Sequence, residues 1–137
     1  MQPISIDHLQ LSVPQMDNQH RALIGQVNEF SAAADAGAAR AELVPRLTAL
    51  VDAFQAHFDS EERMMQFSGY PGLTPHAAEH QKLILQMAGL RDLVESGDVK
   101  MGGALVLFVR LWTEQHISGP DVAFAKFYLD NLTNIRQ

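Results

Sequence analysis

Cysteine is missing from this 137-residue chain, which removes disulfides, thiolate metal sites, iron–sulfur clusters and cysteine nucleophiles together. Any metal must therefore be held by nitrogen and oxygen. Basic charge is scarce as well. Lysine and arginine number 10 against 16 acidic residues, a net charge of −6, and they form no cluster. Nucleic acid and anionic membranes are therefore not expected partners. No apolar run approaches the length that spans a bilayer, and the opening residues lack the positive stretch and apolar core of a secretion signal. A cytoplasmic protein is the expectation. Glycine and proline are few (9 and 6) while 47% of residues are apolar, so a chain of this length can bury a sizeable core without covalent staples. No β-alternation, low-complexity tract or internal repeat stands out.

What the chain does have is histidine at helical spacing. His57 and Glu61 are four residues apart, which stacks an imidazole and a carboxylate on one helix face. The same offset joins His76 to His80. His20 lies one turn before Leu23 and Ile24 on an apolar stripe, and His116 closes another stripe after Phe108, Val109 and Trp112. Asp121 follows His116 after Ser118-Gly119-Pro120.

Around these residues the three- and four-residue periodicity predicts helices. A first opens near Asp17, as N-cap, and fades at Ala36-Gly37. A second runs from about Ala41 to Phe67, with Pro45 either in its first turn or kinking it. A third starts with Thr74 as cap and Pro75 at its first position, and ends at Ser96-Gly97. A fourth, capped by Asp98, runs to a break at Gly119-Pro120, and a short amphipathic segment follows over 121–132. Residues 1–15 read as an extended arm whose Ile4, Ile6, Leu9, Leu11 and Val13 pack onto the bundle. The fold expected is all-α: an up-down-up-down four-helix bundle over about 17–118, one domain across 1–137. The break after His116 is expected to fold the chain back and aim Asp121 into the cavity that His116 faces.

Each helix thus contributes inward donors: His20; His57 and Glu61; His76 and His80; then His116 with Asp121 just beyond. Singly, His57 or His76 would read as an ordinary bundle histidine, and the acidic run 59–62 as a solvated face. Jointly, five imidazoles and two carboxylates exceed what one structural zinc needs. Neutral imidazoles supply no charge, so two divalent ions in an apolar interior would need the two carboxylates between them. An all-nitrogen-and-oxygen shell of this size suits two ions of larger coordination number, such as iron. Glu62 and Glu79 fall off the inward face and stand as candidates for orienting an imidazole. His8 has no partner spacing and reads as a surface residue. Trp112, Phe58, Met64, Met65 and Ile117 read as packing that can also wall off the site.

The elements Asp17-Asn18-Gln19-His20, His57 with Glu61 and Glu62, Tyr70-Pro71, His76-x-x-Glu79-His80, and Trp112 followed by His116-Ile117 and Asp121 resemble the hemerythrin family, in particular its single-domain bacterial members. The arm departs from the family pattern, with His8, Leu9 and Leu11 where aromatic residues are expected and Pro14 close to the first helix. The resemblance implies two non-haem iron ions joined by an oxo or hydroxo bridge. One would take His76, His80 and His116, the other His20 and His57, with Glu61 and Asp121 bridging. It also implies dioxygen as the ligand, bound reversibly for storage, transport or sensing, with no net chemistry. A monomer is the separate expectation. The histidine-rich shell agrees, because oxygen-activating di-iron bundles rely mostly on carboxylates and Glu-x-x-His pairs, and this chain has no Glu-x-x-His. Peroxide or nitric oxide turnover at the same centre is the alternative, and an oxidation-state sensor is a third reading.

Overall fold

The computed structural model describes residues 3–5, 9–97 and 100–136, the side chains of 100–105 and 133–136 excepted. Five α-helices follow one another: α1 Pro14–Asp35, α2 Arg40–Ser68, α3 Leu73–Glu95, α4 Lys100–His116 and, beyond a π turn at Ile117–Asp121, α5 Val122–Arg136. The four long helices form the up-down-up-down bundle, and their short connections make consecutive helices antiparallel neighbours. No strand occurs among the described residues. None of their helices is long and apolar enough to cross a membrane.

Helix starts differ from expectation in an instructive way. Pro14 is the first residue of α1, where its missing N–H costs nothing, and Val13 occupies the N-cap position. Asp17 therefore does not cap α1. Its Oδ1 instead accepts the Leu11 N–H at 2.7 Å and ties down the arm. In α3 the N-cap is Gly72, with Thr74 and Pro75 inside the first turn, where backbone N–H groups have no intrahelical partner anyway. Pro45 lies one turn inside α2 on its exposed face, and the helix continues through it. The expected cap Asp98, together with Ile6 and His8, lies outside the described residues.

The α2–α3 connection depends on two glycines. Gly69 ends α2 with φ 70°, a left-handed conformation that only glycine adopts cheaply, and the Tyr70 N–H returns to the Met65 carbonyl at 2.9 Å. At Gly72 a Cβ would lie 2.8 Å from the Tyr70 ring. That ring is held in place by Phe124 and Phe127, both at 5.1 Å between centroids.

The core follows the sequence stripes. Leu23, Ile24, Val27 and Phe30 of α1 meet Leu47, Leu50, Phe54, Phe58 and Met65 of α2, Leu83 and Met87 of α3, and Val106, Val109 and Ile117 beyond. Phe54 and Phe58 are essentially inaccessible, and burying side chains of this kind contributes roughly 1.5–3 kcal/mol each. The arm packs down as its apolar residues foretold, with Ile4, Leu9, Leu11 and Val13 buried. Asn28 fixes it by accepting the Ile4 N–H at 2.8 Å and donating to the Ile4 carbonyl at 3.2 Å.

Candidate metal centre

All seven residues singled out in the sequence are buried, and they converge in the middle of the bundle. Their donor atoms fall into two groups. Glu61, His76, His80, His116 and Asp121 form one, and His20, His57, Glu61 and Asp121 the other, with the ligand atoms of each group within 4.8 Å of one another. The two carboxylates are common to both.

Each carboxylate presents one oxygen to each group. Glu61 Oε1 lies 2.7 Å from His76 Nε2 and 3.3 Å from His80 Nε2. Its Oε2 faces His57 Nε2 at 3.2 Å and His20 Nε2 at 3.7 Å. Asp121 divides in the same way, with Oδ1 3.0 Å from His76 Nε2 and 3.2 Å from His116 Nε2, and Oδ2 3.2 Å from His20 Nε2. This is the disposition that bridging carboxylates require.

Asp121 reaches the site without the break predicted after His116. The helix does not end at Gly119-Pro120. It widens into a π turn over Ile117–Asp121 and runs on into α5. Hydrogen bonds in such a turn span five residues rather than four, so residues five apart come onto one face, and Pro120, lacking an N–H, fits a turn whose ladder is already loosened. His116 and Asp121 are five apart and both point inward. The expected destination of Asp121 is right, but the chain gets there without folding back.

Burial would depress the imidazoles and raise the carboxylates, yet mutual contacts reverse both. Desolvation lowers the pKa of His20, but the close carboxylates of Asp121 and Glu61 outweigh it and raise the value to about 9. His76 rises to about 9 for the same reasons. Burial pushes Glu61 up, while the four imidazoles of His20, His57, His76 and His80 hold it well below the usual carboxylate range. Burial and neighbouring Glu61 both push Asp121 up, and His116, His20 and His76 still bring it below its ordinary value. In the metal-free protein, protons thus neutralise a pair of buried anions.

A pair of cations suits this donor set better. His80 Nε2 and His116 Nε2 are 2.9 Å apart, and His116 Nε2 lies 3.0 Å from His76 Nε2, separations at which lone pairs repel unless a proton or cation lies between them. Among the described residues, His20 Nε2, Glu61 Oε2 and both Asp121 oxygens are buried without a partner in hydrogen-bond geometry. Each such group costs roughly 1–3 kcal/mol unless something compensates it. The residues present therefore fit two divalent ions.

The surroundings fix the rings. His80 Nδ1 donates to Glu62 Oε2 at 2.9 Å, which puts its lone pair inward on Nε2. Glu62 therefore takes the orienting part for which Glu62 and Glu79 were both candidates, and Glu79 is exposed. Phe58 stacks flat on His80 (3.8 Å between centroids, 3° between planes), and Trp112 on His116 (4.3 Å, 10°). Ile117 and Met65 are buried in the same core, and Met64 packs against it. One participant escaped the sequence reading of ligands and their supports. Gln19 Oε1 accepts the His57 Nδ1–H at 2.8 Å, and the Gln19 amide donates to Ser60 Oγ at 3.0 Å. Its place in the Asp17-Asn18-Gln19-His20 element, directly before His20, was the available signal, without a role attached to it.

Comparison with known proteins points the same way. The family described as Hemerythrin HHE cation binding domain matches residues 11–126. A bacteriohemerythrin of Methylococcus capsulatus is 36% identical over 105 residues, covering 77% of this chain and 79% of its own length. Myohemerythrin-1 of Phascolopsis gouldii is 28% identical over 109 residues, 80% of each chain. Among solved structures, the crystal structure of a wild-type hemerythrin superposes with a TM-score of 0.83 at 30% identity, covering 93% of this chain and 98% of that one.

Proposed function

Because this chain belongs to the hemerythrin family, we propose that it binds dioxygen reversibly at two non-haem iron ions joined by an oxo or hydroxo bridge. His76, His80 and His116 would hold one ion, His20 and His57 the other, and Glu61 and Asp121 would bridge them. Bound iron would supply the electrons that dioxygen takes up on binding and returns on release.

The observation that carries this reading is the split of each carboxylate between the two imidazole groups, one oxygen to each. Two anionic side chains against five neutral ones keep the site short of negative charge, which favours reduced ions over the high-valent states used in oxygenation. The chain's own residues do the rest. Glu62 and Gln19 orient imidazoles, and Phe58, Trp112 and Ile117 exclude water from them. Among the described residues no fully buried titratable side chain joins the seven donors, which counts against turnover of peroxide or nitric oxide.

The test is the visible spectrum of iron-loaded protein cycled between air and anaerobic buffer. Colour that appears with oxygen, bleaches on its removal and returns repeatedly is the expected result. Iron that oxidises once and stays oxidised would favour an enzymatic or redox-sensing role, and failure to hold two irons per chain would remove the reading altogether.

A further inference from the structure

Two of the five imidazoles have their outer nitrogen anchored by a side chain, one in each donor group, and the two anchors differ in charge. His80 donates Nδ1–H to the Glu62 carboxylate (2.9 Å), whereas His57 donates Nδ1–H to the Gln19 carboxamide (2.8 Å). A carboxylate draws the shared proton and makes the ring a stronger donor, and a neutral carboxamide does so only weakly. The three-imidazole group thus has the anionic anchor and the two-imidazole group the neutral one. Both differences would make the three-imidazole group the stronger donor to an ion held there.

Gln19 is itself held. Its amide donates to Ser60 Oγ at 3.0 Å, which fixes Oε1 toward His57, and Ser60 lies on the same helix as His57 and Glu61. His20 Nδ1 and His116 Nδ1, by contrast, meet no hydrogen-bond partner among the described residues. Beside Gln19 and His57 runs a groove of about 330 Å³ between α1 and α2, walled by Ala22, Leu23, Ala53 and Ala56, so side chains other than glutamine fit there without displacing core.

We propose that Gln19 is the positioning residue of the two-imidazole site, fixing the His57 ring while keeping it a weak donor, so that the two metal ions are chemically unequal. This rests on the proposed two-metal reading. The pair would differ in affinity and in potential because of Gln19, beyond what the count of imidazoles sets.

The test titrates metal-free protein with Co(II), followed by calorimetry and visible absorption, and then measures the midpoint potential of iron-loaded protein, in wild type, Gln19→Met and Gln19→Glu. Far-UV circular dichroism checks the fold. Wild type that takes up no pair of Co(II) ions would overturn the two-metal reading itself. With two ions bound by wild type, Gln19→Met is expected to lose about 10- to 100-fold in affinity at one site only. Gln19→Glu is expected to restore that affinity and shift the potential downward. Unchanged affinities in Gln19→Met, or equal losses at both sites, would refute the assignment. If Gln19→Met does not fold, Gln19→Glu decides alone, and a potential identical to wild type would overturn it.

Discussion

Loading this site with metal should expel protons, and the number is set by the geometry. His20 and His76 are raised to about 9 by Asp121 and Glu61, so at pH 7 both are held protonated in the metal-free protein. Glu61 and Asp121 are held below their ordinary values and have no proton to give. Two divalent ions must displace both imidazolium protons, for a release of about two from this pair, against about half a proton if both histidines had ordinary values. The apparent constant for filling both sites should then rise about 100-fold per pH unit between pH 6 and 8. Calorimetric titration of Zn(II) into metal-free protein at pH 7, in two buffers of different ionisation enthalpy, counts the protons. The same shifts govern stability. Both values rise on folding, so the stabilisation is full below pH 6.5 and is lost as pH climbs through about 9. For His20 alone this amounts to about 3 kcal/mol. Urea unfolding of metal-free protein should show declining stability from pH 6.5 to 9.5, a decline that zinc-loaded protein does not share. Release of half a proton or less, with metal-free stability flat across that range, would refute the charge-cluster account.

Three further outcomes are expected. Glu61→Ala should lose metal from both sites, since one side chain serves both groups, and metal analysis that still finds two irons per chain would rule out a bridging role. Asp17→Ala removes the acceptor of the Leu11 N–H and should cost about 1 kcal/mol in thermal unfolding, with faster amide exchange at Leu11 as its local signature. Gly72→Ala drives a methyl group into a Tyr70 ring braced by Phe124 and Phe127, and should cost about 1–3 kcal/mol by urea denaturation. A wild-type midpoint would mean that the ring moves freely.

The donors were legible because helical periodicity is a property of the chain itself. His57 with Glu61 and His76 with His80 announce a shared face by spacing alone, and His20 and His116 by their place on apolar stripes. Asp121 was found by its company and reached by a mistaken route, because a π turn leaves no periodic trace and Gly119-Pro120 looks like any helix stop. Asp17 misled for a related reason. Its side chain suits an N-cap, but Pro14 opens α1 a turn earlier and frees the carboxylate to hold the arm. Gln19 and Ser60 carry no pattern that separates an anchoring carboxamide from a solvated one, and only three-dimensional proximity shows them.

The widened turn after His116 holds one residue more than an α-helical turn would. From Asp121 onward, every residue therefore stands where its predecessor would stand in an unbroken helix. An α-helical phase carried on from His116 would turn Pro120 and Ala123 inward, yet Asp121, Phe124 and Ala125 are the buried ones, and Ala123 faces solvent. Chain length is thus more forgiving here than elsewhere. Losing one residue from 118–120 would straighten the rod and leave α5 seated on the same face. A loss within α4, or at Val122 or Ala123, would instead swing the remainder by about 100° and carry Phe124 out of the core. Substitutions are judged across this bundle by what they touch, and deletions by which side of that surplus residue they fall on.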